Sequence, residues 1–168
     1  RAVIDSRLVT EFKTAADSVL GARLLARPDS RHLVIVGAGV VATSLIRAYG
    51  AIFPDLERIS VWARRPEQAR ALVDAARGPA ETAGITARLE AAPDLDAALA
   101  EADIISSATM ARSPVIHGDR VRPGTHVDLI GAFKADMREA DDALIGGSRL
   151  FVDSRATTLH HIGELMMP

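Results

Sequence analysis

Residues 32–45 read HLVIVGAGVVATSL. From His32 to Val36 the side chains are nearly all apolar and mostly β-branched, the composition of a strand buried on both faces. Gly37-Ala38-Gly39 interrupts the run, and a helix-like pattern follows. Gly37-Ala38-Gly39-Val40-Val41-Ala42 fits the G-x-G-x-x-G/A dinucleotide fingerprint. Gly37 permits a tight strand-to-helix turn. Gly39 lets the backbone approach a pyrophosphate with no Cβ in the way. Ala42 keeps the helix close to the strand. The helix N-terminus then offers free N–H groups and a positive dipole end to phosphates.

The context on either side suits that reading. Residues 7–26 form an amphipathic pattern in which Leu8, Phe12, Ala15, Val19 and Ala22 share a face, and RPDS ends it. After HLVIV, a helix spans residues 40–52, and RISVWA is a second strand. PEQARALVDAAR is a helix with Pro66 in its first turn and Gly78 after its end. ITARLEA reads as a strand. DLDAALAEA is a short helix with Asp94 as N-cap, and DIISSAT, THVDLIG and RLFVDS read as further strands. Short strands alternating with helices predict an α/β fold: a doubly wound parallel sheet of about six strands in the order 3-2-1-4-5-6. The helix at residues 7–26 is an entry element. Residues 111–124 are the longest loop-like stretch, after a strand whose carboxyl end lies over the ligand crevice.

The 168 residues are 48% hydrophobic with a net charge of −2, which suits one globular domain and gives no reason to expect a nucleic-acid or membrane partner. Only Lys13 and Lys134 are lysines. The absence of cysteine excludes disulfides, thiolate nucleophiles and Cys-based metal sites, and is compatible with a cytoplasmic protein. No apolar run reaches the roughly 18 residues of a membrane helix. No signal peptide is visible. The chain starts at Arg1 and stops at GELMMP, so a piece of a longer chain is expected.

An acid at the end of the second strand normally binds the adenosine ribose hydroxyls. Here the strand ends in Arg64-Arg65-Pro66. Two guanidiniums suit a 2′-phosphate, so NADP(H) is favoured, with NAD(H) as the alternative.

The chain resembles the ornithine cyclodeaminase/μ-crystallin family. The resemblance is carried, in the family's order and spacing, by EFKTAADSVLGARLLARPD, VIVGAGVVATS, VWARRPEQARAL, ADIISSATMARSPVI, RPGTHVDLIGAF and FVDSRATTL with the later GEL. It covers essentially this whole chain but about half of a family chain. It implies that residues 1–168 are a dinucleotide-binding Rossmann domain. Most of a second domain, which in the family carries the dimer interface and a basic substrate-binding group, would lie outside this chain. Members include ornithine cyclodeaminases, an alanine dehydrogenase, imino-acid reductases and NADPH-binding μ-crystallins. Their shared chemistry is hydride transfer between nicotinamide C4 and an amino-acid α-carbon. The resemblance implies that Thr14 reaches the cofactor phosphates and that Val40 and Val41 lie at the pyrophosphate turn with Gly37, Ala38 and Gly39. It places Ser107, Ala108, Thr109 and Met110 beside the cofactor, and Ile130 and Gly131 near the nicotinamide.

Two departures from the family pattern matter. An Arg that pairs with the substrate carboxylate is replaced by Lys13, which keeps the charge but not the bidentate fork. Phe133 stands where the cyclodeaminases have the aspartate that handles protons in amine loss and ring closure. An aromatic ring cannot move a proton, so the implied activity is reduction of a small cyclic or linear imino acid to the L-amino acid. A cyclodeaminase with bound NAD and a non-catalytic NADPH- and ligand-binding protein stay open as alternatives, and a homodimer through the second domain is implied. Asp136 and Glu139 read as helix-start carboxylates facing water, with either one a substitute acid in the alternative. His117 and His126 read as loop or strand-packing residues, and Trp62 as core or a wall beside the adenine pocket. His160-His161 has no third ligand, so no metal site is expected.

Overall fold

The computed structural model describes residues 3, 5–78 and 84–167. An entry helix α1 (Ser6–Leu25) leads to β1 (His32–Val36), α2 (Val40–Ile52), β2 (Arg58–Trp62), α3 (Pro66–Ala76) and β3 (Arg88–Ala91). Then come α4 (Leu95–Glu101), β4 (Ile104–Ser107), β5 (His126–Leu129) and the short helices α5 (Asp142–Gly146), α6 (Arg155–Thr158) and α7 (Gly163–Met166). All strand pairings are parallel, in the order β3-β2-β1-β4-β5. This is the doubly wound Rossmann arrangement, with β1 at its centre.

All five residues of β1 are buried. Alternation sends Leu33 and Ile35 into one layer, with Ile59, Val61 and Ile104, under Val19, Leu45, Ile46, Tyr49 and Val73. Val34, Val36 and Ile105 enter the other, with Leu95, Leu99, Ile116, Leu144 and Ile145. A strand apolar at four successive positions needs both layers, hence the unbroken run from Leu33 to Val36. Asp94 caps α4, accepting from the Ala97 amide at 3.3 Å. The Phe53 amide closes α2 on Tyr49 O at 2.8 Å, just before Pro54.

Two expectations need correction. Phe12 does not join the core: it is 65% exposed, whereas Ala15, Val19 and Ala22 are buried. The fully buried face of α1 begins at Ala15, so an aromatic one turn earlier projects past the packed patch. The side chain of Leu8 lies outside those described. Second, the sheet has five strands among the described residues. Arg149–Ser154 is not a strand, and Leu150, Phe151 and Val152 are exposed. A strand needs a hydrogen-bonding edge, and this segment makes no ladder beside β5. Instead the loop after β4 is pinned by a single parallel bridge, Ile116 to Ala140.

A polar link fastens α1 to the sheet. Ser18, buried on α1, donates to the Asp128 carboxylate on β5, and Ser106 on β4 donates to the same oxygen at 2.9 Å. The Tyr49 hydroxyl donates to Ser18 O at 3.5 Å. Burial pushes the Asp128 carboxyl up to about 6, against the Ser106 hydrogen bond. A carboxyl raised in the folded state binds its proton more tightly there than in the unfolded chain. Its contribution is therefore greatest below its ordinary value near 3.8 and is lost as pH rises through about 6. Asp128→Asn, which keeps an acceptor and carries no charge, is expected to match wild type near pH 4. Above pH 6 it should exceed wild type by on the order of 1–3 kcal/mol, read by urea denaturation at a series of pH values. A difference that does not vary with pH would contradict this.

Candidate dinucleotide site

The carboxyl ends of β1, β2 and β4 meet at the Gly37 turn, and β5 ends beside β4. The Gly37 amide donates to Trp62 O at 2.8 Å, and the Ala108 amide donates to Val36 O at 2.9 Å. Gly37 has φ +116°, and a Cβ there would lie 2.8 Å from Ala108 O. Only glycine satisfies both conditions. Gly39, the N-cap of α2, is extended, with no side-chain cap. A Cβ on Gly39 would meet no atom within 4 Å. The space over the first turn of α2 is open, and the backbone at Val40 and Val41 faces it with the positive end of a 13-residue helix. Ala42, 1% exposed, seats that helix on the strand. These are the requirements of a pyrophosphate cradle.

Arg64 and Arg65 follow β2, with Arg65 the N-cap of α3. Both are exposed, and among the described residues no carboxylate pairs with either. Trp62 is partly buried against the second core layer.

The ends of β4 and β5 are tied together by a residue the sequence reading places in water. Glu139 is fully buried. Its Oε1 accepts from Ser107 Oγ at 2.6 Å, Thr109 N at 2.7 Å and Thr109 Oγ1 at 2.7 Å. Its Oε2 accepts from Gly131 N at 2.7 Å. Burial raises its pKa, opposed by these four donors. Behind it, Glu164 on α7 is buried and accepts the backbone N–H groups of Glu139 and of Ala140. Burial raises this pKa too. Gly131 is as constrained as Gly37, because a Cβ would lie 2.5 Å from Thr109 N and 2.6 Å from Glu139 Oε1. No local pattern flags Glu139, since its partners lie 8 to 32 residues away. The polar run Ser106-Ser107 inside a buried strand is the available signal, because buried hydroxyls require partners.

The expected site residues thus separate into two groups. Gly37, Ala38, Gly39, Ala108, Thr109, Ile130 and Gly131 follow the carboxyl ends of the central strands, with Ser107 at the end of β4 and Val40 and Val41 in the first turn of α2. Met110, 72% exposed, stands outward from that cluster. Thr14, partly buried, lies on α1, the helix that packs against α2 and β5. Lys13, also on α1, pairs with Asp17, whose hydrogen bond raises the ammonium pKa. Phe133 is exposed, with Lys134 Nζ 5.4 Å from its ring centroid. Asp136 pairs with Arg112 at 3.2 Å, as a solvated carboxylate does. His117 contacts Asp141 at 3.3 Å in the loop, and burial lowers the His126 pKa. Among the described residues no group of His, Asp and Glu side chains forms a metal cluster, and no helix is long and apolar enough to cross a membrane.

The model of the ornithine cyclodeaminase/mu-crystallin family matches residues 1–167. The chain belongs to that family. It is 70% identical, over its whole length, to 51% of a Delta(1)-pyrroline-2-carboxylate reductase of Paracoccus denitrificans (strain Pd 1222). The Thermococcus litoralis Delta(1)-pyrroline-2-carboxylate reductase, solved with NADH and L-proline, superposes with a TM-score of 0.86 at 29% identity over 96% of this chain and 48% of that one. The iminosuccinate reductase of Paracoccus denitrificans, solved with NAD+, gives 0.85 at 30% identity over the same shares of the two chains. The chain therefore spans about half the length of these relatives.

The two turn glycines should respond differently to alanine. Gly37→Ala should lower folding stability by on the order of 1–3 kcal/mol, through the positive φ and the clash with Ala108. Gly39→Ala should change it by less than about 1 kcal/mol. Denaturant midpoints of the two variants check this, and equal losses would contradict it.

Proposed function

We propose that the complete protein is a nicotinamide-dependent reductase that converts a small imino acid, Delta(1)-pyrroline-2-carboxylate being the substrate type, to the L-amino acid. The observation that carries the proposal is the end of β5, which continues as Gly131-Ala132-Phe133 and offers no aspartate for ammonia release or ring closure. The reductase names of the relatives support it. Cyclodeamination needs a proton-transfer group where Phe133 stands. The reduction does not, because a protonated iminium already accepts hydride, and positioning supplies much of the rate.

The open space at Gly39, the α2 N-terminus and the exposed Arg64 and Arg65, which pair with no carboxylate among the described residues, suit a phosphorylated dinucleotide. When bound, the cofactor would supply a hydride from nicotinamide C4. In this reading the Gly37–Val41 turn and Thr14 hold the phosphates. Ser107, Ala108, Thr109 and Met110 border the cofactor, and Ile130 and Gly131 flank the nicotinamide. Lys13, kept protonated by Asp17, faces the substrate carboxylate together with basic groups from the rest of the protein. Phe133 excludes water around the transferred hydride. The remainder of the protein supplies the homodimer contact. The cytoplasm is the compartment in which an amino-acid reductase of this kind is expected.

Arg64 and Arg65 make NADPH the preferred cofactor, with NADH the weaker one. Titration of the full-length protein should show tighter NADPH binding in wild type. Arg64→Ala should lose on the order of 1–3 kcal/mol for NADPH and little for NADH. Equal wild-type affinity for both cofactors would overturn the preference. In the same protein, ornithine should release no ammonia, whereas a panel of cyclic and linear imino acids should oxidise NADPH stoichiometrically. Efficient ornithine cyclodeamination by wild type would overturn the reductase reading.

A further inference from the structure

We propose that Glu139 is the positioning residue for the nicotinamide end of the site, and that Glu164 holds Glu139 in place. The inference rests on the dinucleotide reading above. It concerns a buried carboxylate that accepts from the chain's own Ser107, Thr109 and Gly131.

The geometry is specific. A single carboxylate takes donors from the ends of two neighbouring strands: Ser107 and Thr109 after β4, and Gly131 after β5. The main chains of Thr109 and Gly131 are in close approach, with no room for a side chain at Gly131. The distance between these two loops is therefore set by which oxygen of Glu139 each one reaches. The carboxylate is held from behind. Glu164 accepts the N–H groups of Glu139 and Ala140. The Glu139 carbonyl accepts the Val115 and Ile116 amides at 2.8 and 2.9 Å, which fixes the loop after β4 to the same segment. Gly163 N in turn donates to Lys134 O at 3.0 Å, docking the α7 segment on the chain that leads into Glu139.

The donor set also explains why a carboxylate, and not its amide, is needed. Two of the four donors are backbone N–H groups, one on each oxygen, and neither can reverse its role. A glutamine must point its NH2 at one of them. Glu139→Gln thus releases either Thr109 or Gly131 while preserving shape and volume. The phosphate turn, built on Gly37 and α2, makes none of these bonds and should be untouched.

The test separates the two ends of the dinucleotide. Full-length wild type, Glu139→Gln, Glu164→Gln and Ser107→Ala are each titrated with NADPH or NADH, whichever binds tighter, and with the matching ADP-ribose fragment. Steady-state kcat and KM for the imino acid are measured alongside. In wild type the whole cofactor should bind tighter than its fragment. In Glu139→Gln the fragment should keep its affinity within about twofold while the advantage of the whole cofactor collapses. There kcat should fall about 10- to 100-fold with KM changed much less. Glu164→Gln should show the same split more weakly. Ser107→Ala, which removes one donor and leaves the backbone bonds, should lower kcat several-fold. It keeps the test alive if Glu139→Gln fails to fold. A Glu139→Gln or Ser107→Ala protein with wild-type kcat and wild-type preference for the whole cofactor would overturn the proposal, as would parallel loss of fragment and cofactor affinity. A wild type that binds neither fragment nor whole cofactor would instead overturn the dinucleotide reading itself, and one that binds the two equally would overturn the placement of the nicotinamide beside Gly131.

Discussion

The ligand end of this domain depends on one steric constraint: the chain must leave β1 across the Ala108 carbonyl with no side chain at Gly37. β1 is the central strand and is buried on both faces, so it has no free edge along which to swing aside. The turn is gripped by the Trp62 carbonyl on one side and by the Val36–Ala108 pairing on the other. With Gly37 at φ +116°, α2 starts directly over the strand ends, and its unfilled first turn faces open space at Gly39. A larger residue at Gly37 would push α2 and the end of β4 apart, and the cradle with them.

The second half of the site is built by electrostatics. Burying a carboxylate is costly unless donors replace the lost water. Glu139 has four, and Glu164 has the two amides behind it. Both remain raised in pKa because desolvation outweighs the donors. Asp128 follows the same pattern beneath the sheet, where the hydroxyls of Ser18 and Ser106 tie α1 to β5 and β4. Each of these carboxylates joins segments distant in sequence, at a point where apolar packing alone would leave the register of the loops loose. Polar groups of this kind give up some stability for a defined geometry of the loops that they join.

The parts legible in the sequence were those with local causes. HLVIV followed by Gly-Ala-Gly specifies strand, turn and helix by itself, and Pro66, Asp94 and Pro54 mark helix ends through local backbone chemistry. The same holds for the tight glycine turn at Gly37 and for the absence of an acid after β2. What escaped had non-local causes. Glu139 looks like any acid in a polar run, because its partners Ser107, Thr109 and Gly131 lie at and after the ends of β4 and β5. Phe12 fits a helical apolar stripe, but the stripe is longer than the surface that α1 covers. Phe151-Val152 has strand composition, yet strand formation depends on an edge, and nothing local in the sequence says whether one is offered.

The claim that unites fold and chemistry is that this domain presents nicotinamide C4 to a substrate α-carbon. The direct measurement uses the full-length protein, NADPH deuterated at both C4 positions, and a cyclic imino acid, with the product read by NMR and mass spectrometry. The account predicts an L-amino acid carrying a single deuterium at Cα and one cofactor oxidised per product formed. Unlabelled product, or product formed with no net cofactor oxidation, would contradict it.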